Sequence, residues 1–147
     1  MRSTSVVLAL SLLALTSACA MDDHGLGAAH QRWTGQKLQG YSVTTRTLCF
    51  CPTEMTDAIR LTVAAGQITD AVYVDSQQAV APVYRQNLLT IDGLVDKIQN
   101  ALDRNAEQLD VTYDPVMGYP TSIAIDYRKQ TSDDEISYTV KDLVPAS

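Results

Sequence analysis

The residues whose chemistry stands out are Cys49 and Cys51, with Phe50 between them. In a strand, residues i and i+2 point to one face, so the two thiols are neighbours. Their Cα atoms then fall near the upper end of disulfide reach, and a bond would be strained or would bend the strand. Four states are open. They are a structural disulfide closing a small ring, a reducible bond used in thiol exchange, a soft-metal site for Cu(I) or zinc, and two free buried thiols. Two thiolates leave a metal shell incomplete. His24 and His30 would have to complete it, and nothing in the sequence holds them there. A thioredoxin-type site is a poor match. That site has two intervening residues and opens a helix, whereas Pro52 here follows a β-rich run.

Other chemistry is sparse. Asp114, Asp126, Asp133, Asp134 and Glu135 are carboxylates suited to acid–base work or calcium, but the spacing of the known calcium loop is absent. An Asx-type turn at Asp114 and a solvated turn at 133–135 account for them. There is no Gly-rich phosphate loop and no serine in a nucleophile-elbow pattern. No His lies from Tyr41 onward, which removes the commonest general base. No catalytic residue, metal ligand or cofactor is therefore assigned. Trp33, in the tether, is expected to pack on the domain edge, with a membrane-surface or partner contact as the alternative. Tyr113, Tyr119, Tyr127 and Tyr138 form an aromatic cluster on the C-terminal sheet, with core packing as the default and an exposed face for a partner as the alternative. Trp33, Tyr113, Tyr119 and Tyr127 are the candidate binding residues.

The elements that must position these residues can be placed from periodicity. The centre is Val111 to Tyr127, where the alternating runs Leu109-Val111-Tyr113 and Ile123-Ile125-Tyr127 flank Asp114 to Pro120, a stretch with two prolines and a glycine. That pattern predicts a β-hairpin. Tyr41 to Cys51 is a β-branched and aromatic strand stopped by Pro52. Ala58 to Asp75 predicts a second hairpin turning at Ala65-Gly66-Gln67. Ser76 to Leu89 is a long connection, of the kind that often carries binding function. Thr90 to Asn105 predicts a helix: Thr90 caps it, Asn105 ends it, and Ile91, Leu94, Val95, Ile98, Ala101 and Leu102 form one apolar stripe. Ile136 to Val140 is the last strand. The order is β-β-β-α-β-β-β. The fold expected is α+β, an antiparallel sheet of five to six strands with one helix packed on one face.

The N-terminus is read differently. Met1-Arg2 and the apolar run Val6 to Leu15, too short to span a bilayer, precede Leu15-Thr16-Ser17-Ala18-Cys19. Small residues before that cysteine look like the lipobox of bacterial lipoproteins. The resemblance implies cleavage before Cys19 and lipidation there, the protein's contact with a membrane; an ordinary secretory cleavage is the alternative. Residues 1–18 are then the signal peptide, 19–39 the lipidated cysteine and a flexible tether containing Trp33, and 40–147 the single domain. Ala20 rather than Asp follows Cys19, which by analogy with enteric bacteria favours the outer membrane, facing the periplasm. Export also suits a remaining cysteine pair. The formal charge of −6 speaks against nucleic acid.

Arg46-Thr47-Leu48-Cys49-Phe50-Cys51-Pro52, Thr90-Ile91-Asp92-Gly93-Leu94, Tyr113-Asp114-Pro115 with Gly118-Tyr119-Pro120, Ile125-Asp126 and Asp133-Asp134-Glu135 resemble, in that order, a family of bacterial, mostly exported proteins known only as a domain of unknown function. The resemblance covers roughly Tyr41 to Leu143. It implies a common fold and export, and no reaction. The function expected is a non-enzymatic envelope lipoprotein, a binding or structural module with an envelope-protein partner. The alternative is a thiol-redox or soft-metal-handling protein acting through Cys49 and Cys51. A hydrolase using the acidic residues is the weakest of the three.

Overall fold

The computed structural model describes residues 24–128 and 135–146. The signal segment and Cys19 lie outside the described residues, as do Asp133 and Asp134. In chain order the elements are α1 (Leu26–Gly35), β1 (Gly40–Cys49), α2 (Thr53–Thr56), β2 (Ile59–Ala64), β3 (Gln67–Tyr73), α3 (Pro82–Arg85), α4 (Ile91–Asp103), β4 (Gln108–Tyr113), β5 (Pro120–Asp126) and β6 (Glu135–Pro145).

The six strands form one sheet in the order β3-β2-β1-β6-β5-β4, antiparallel throughout. Two three-strand meanders are therefore zipped side by side along β1 and β6, and α4 is the link between them. Period-two alternation decides the layering. Val43, Ile59, Leu61, Val63, Ile123 and Ile125 point to one face and are buried. The apolar stripe of α4, from Ile91 to Ala101, lies on that face. The opposite face is polar: Arg46, Thr139, Ser122 and Thr112 make one cross-strand row, and Leu48, Ser137, Ala124 and Asp110 the next. A half-solvated antiparallel sheet needs no second layer.

The ends of α4 are set by local chemistry. The Thr90 hydroxyl accepts from the Gly93 N–H, and Asp92 lies in the first turn. At the other end Asn105 adopts φ 52°, the Asn105 N–H donates to the Leu102 carbonyl, and the Ala106 N–H donates to the Ala101 carbonyl. That pair of bonds is a Schellman motif with Asn in place of Gly.

The tether departs from its sequence reading between Leu26 and Gly35. These residues form α1, with Leu26, Ala29 and Trp33 buried. The three fall on one face at spacings of three and four, a short stripe that the surrounding Gly, Ala and Gln obscure. A ten-residue helix is marginal alone in water, so docking is what holds α1. It docks at the end of the sheet where β1 begins. Trp33 is 6 % exposed and meets Tyr41 and Tyr119 edge-on, with ring centroids 5.4 and 6.2 Å away. Its indole N–H donates to Asp92 Oδ1 at 2.9 Å.

Candidate functional site

At the opposite end of β1 the chain stops being extended. The Cys51 N–H donates back to the Cys49 carbonyl at 2.9 Å, a three-residue turn with Phe50 at its apex. The Cα atoms of Cys49 and Cys51 are thereby 5.3 Å apart, well inside disulfide reach, and their sulfurs lie at bonding distance. The bend that the sequence required of a bonded pair is present. Both flanks of the turn are fixed. Cys49 pairs with Ile136 in the sheet, and Pro52 leads into α2. The Arg46 Nε donates to the Thr56 carbonyl at the end of α2, at 2.8 Å.

The product of this scaffolding is an exposed aromatic ring. Phe50 is 90 % exposed, and Leu48, two residues earlier on the polar face, is 46 % exposed. A Phe held outward on a short turn costs apolar hydration and returns nothing to the core. Beside it, on the polar face, lies a concavity of about 500 Å³ bordered by Leu48, Phe50, Ala124, Asp126 and Ser137. On the helical side a second cleft of about 330 Å³ opens between β1, β6, α2, α4 and the 84–89 segment. Cys49 lines both.

The other sequence candidates are dispersed. Trp33 and Tyr119 meet at the far end of the sheet, both buried. Burial pushes the Tyr119 phenol up, helped by Asp114 and Asp142. Tyr113 is half-buried on β4. Tyr127 lies beyond β5 and donates to Asn100 Oδ1 at 3.3 Å, with the Arg104 guanidinium 4.3 Å above its ring. Tyr113 and Tyr119 therefore lie at one end of the β4–β5 pair and Tyr127 at the other.

The carboxylates do turn chemistry. Asp114 accepts from the N–H groups of Val116 and Met117 at 2.9 and 2.7 Å. Asp126 accepts from the Arg128 N–H at 2.9 Å. Among the described residues no group of three or more His, Cys, Asp or Glu could hold a metal ion. His30 sits on α1, at the other end of β1 from the cysteines.

The helical-side cleft was not readable as a site. Its titratable groups, Tyr84, Lys97, Glu54 and Tyr138, come from four separate elements. The one signal that pointed toward it was the length of the Ser76 to Leu89 connection, whose second half forms α3 and one wall.

A model of a family of unknown function, DUF6174, matches residues 25–145. The chain belongs to that family. The match begins at the residue before α1, so the family domain includes the helix that docks through Trp33. No curated protein and no solved structure matches this DUF6174 chain.

Proposed function

We propose that this DUF6174 protein is a lipid-anchored envelope protein that acts without catalysis, as a binding module. In this reading Cys19 carries the anchor, the outer membrane is the destination, and the Cys49-Phe50-Cys51 turn is the contact point for an envelope protein. The observation that carries it is Phe50, 90 % exposed at the apex of a turn braced on both sides. An aromatic anchor presented rigidly loses little entropy on docking, which is how a small contact becomes specific. A disulfide between Cys49 and Cys51 supplies part of that rigidity, and the 5.3 Å Cα separation supports it.

The test is site-specific photo-crosslinking in cells that make the full chain. A photo-reactive phenylalanine replaces Phe50 or, as a control at the other end of the sheet, Val116, which is also exposed. The reading expects one discrete adduct from position 50, reduced by Leu48→Ser and absent from position 116. No adduct at 50, or the same adducts at both positions, overturns it.

One observation favours thiol exchange as a second reading. Cys49 borders both clefts, so the disulfide end of β1 lies beside open space. A partner thiolate would attack one sulfur and release the other as a thiolate, and a second partner thiol would complete the partner's oxidation. Intact mass in native buffer decides. A mass two hydrogens short that persists in mild reductant removes this reading, and immediate opening promotes it.

A further inference from the structure

The concavity on the polar face, beside the Phe50 turn, has a charge pattern that narrows the kind of partner segment it fits. Its volume of about 500 Å³ has room for a long side chain and some flanking backbone. Two cross-strand rows shape it. In the first, Leu48 of β1, Ser137 of β6 and Ala124 of β5 are register partners, so two small side chains lie beside an exposed leucine. In the second, Glu135 of β6 stands directly opposite Asp126 of β5, with Gln108 of β4 next to Asp126. Directly opposed residues of an antiparallel pair share a face with Cβ atoms about 5 Å apart, and like charges so placed are unfavourable. Both carboxylates border the concavity, and no Lys, Arg or His does. The Gln108 amide donates to Asp110 Oδ2 at 2.6 Å, on its own strand. Among the described residues no third ligand joins the two carboxylates to make a metal set, so the cation they suit is an organic one.

We infer that this concavity receives an arginine side chain from a segment of an envelope-protein partner, an inference that rests on the reading of Phe50 as the contact point. The planar guanidinium has several donors in a fixed fork, which matches two carboxylates standing side by side. Its methylene stem lies along Leu48 and Ala124, and Phe50 at the rim supplies an aromatic surface for the guanidinium plane. A lysine is a point charge and fits less well. An acidic segment is repelled by Asp126 and Glu135.

The experiment is photo-crosslinking in cells that make the full chain, with the photo-reactive phenylalanine at Gln108, across the concavity from Phe50. The partner peptide in the adduct is sequenced by mass spectrometry. One discrete adduct is expected, with an arginine beside the crosslinked position. Asp126→Asn combined with Glu135→Gln removes the charge at nearly constant shape and should lower the adduct at least ~5-fold, and Glu135→Lys at least ~10-fold. The asparagine keeps an oxygen for the Arg128 N–H, and Glu135 is exposed, so neither change threatens the fold. Asp70→Asn, on the same face at the β3 edge, should leave the adduct unchanged. Replacing the identified arginine with glutamate should restore the adduct of the Glu135→Lys chain. A partner peptide without arginine, a lipid or glycan adduct, or an adduct indifferent to Asp126 and Glu135 overturns the inference. So does an adduct from position 50 with none from 108, and that result leaves the Phe50 reading standing. No adduct from either position overturns both. A charge-dependent adduct from 108 with none from 50 upholds the arginine site and removes Phe50 as the contact point.

Discussion

At the scale of single residues, the molecule leaves several polar groups in unusual places. Thr44 is 2 % exposed and its hydroxyl has no partner. It pairs with Arg60 and Lys141, whose long side chains flank it on the polar face, beside the register shift between Ser42 and Thr44. A buried hydroxyl without a bond gains from removal. Thr44→Val should raise the unfolding free energy by about 1 kcal/mol, read from the urea midpoint at unchanged slope. Tyr41 and Tyr138 make a second residue-scale prediction. Burial is the leading reason that both are pushed from the usual value near 10 up to about 12. For Tyr41 the hydrogen bond from the Ile91 N–H partly opposes this, and Asp92 adds to it. The sign follows from proton counting. Below pH 10 both tyrosines are protonated, folded or unfolded, and stability is indifferent to them. Between pH 10 and 12 the unfolded chain releases protons that the folded chain retains, so stability falls as pH rises. Urea midpoints should be flat up to about pH 9 and decline above 10, and Tyr138→Phe should flatten that decline.

At the scale of elements, the least expected piece is α1 and the way the rest of the chain makes room for it. Gly118, at φ 84° in the β4–β5 turn, faces α1. A Cβ there would collide with the Ala29 carbonyl and lie 2.7 Å from Arg32 Cβ and 2.9 Å from the Trp33 nitrogen. Asp92 in the first turn of α4 receives the indole N–H of the same helix. Turn and helix N-terminus together form the seat of α1. Gly118→Ala should therefore cost about 2–4 kcal/mol, combining left-handed strain with the lost approach. Asp92→Asn, which keeps an acceptor but loses the charge, should cost about 1 kcal/mol. Trp33 is the single tryptophan, so its emission reports docking directly. A red shift in Gly118→Ala with the sheet retained by circular dichroism is expected, and unchanged emission with unchanged stability would remove Gly118 from the seat. These contacts also explain what was legible in the sequence. The six strands and α4 were readable because each has its own period and turn residues. Helix α1 was not, because its stripe is three residues long and its stability is borrowed from Asp92, Gly118, Tyr41 and Tyr119, which lie far away in the chain. For the same reason the Cys49–Cys51 turn could be anticipated from three adjacent residues, while the Tyr138 cleft could not, being assembled from β1, β6, α2, α4 and the 84–89 segment.

At the scale of the whole molecule, the sheet separates two ends with different business. One end holds α1, the Gly66 turn and the Asp114 to Tyr119 turn, with the Ala65 N–H bound to the Gln39 carbonyl. The other holds the Phe50 turn, α2 and both clefts. Along β1, from Gly40 to Cys49, the ends are about 30 Å apart. Lipidation at Cys19 would make this polarity functional. Only six Cα steps join Cys19 to Gly25, a reach of about 22 Å at most, because α1 converts the middle of the expected tether into docked structure. A domain anchored so closely by its α1 end would keep that end near the lipid and turn Phe50 away from it. The prediction is a depth measurement on the lipidated full chain in vesicles carrying a headgroup quencher. A dye at position 116, in the turn beside α1, should be quenched strongly, and the same dye at position 50 weakly. Replacing Cys19 with Ser should abolish quenching at both, since no anchor remains. Equal quenching at 50 and 116 in the lipidated protein would mean that the short linker lets the domain tumble, and the outward presentation of Phe50 would then have no basis in the anchor.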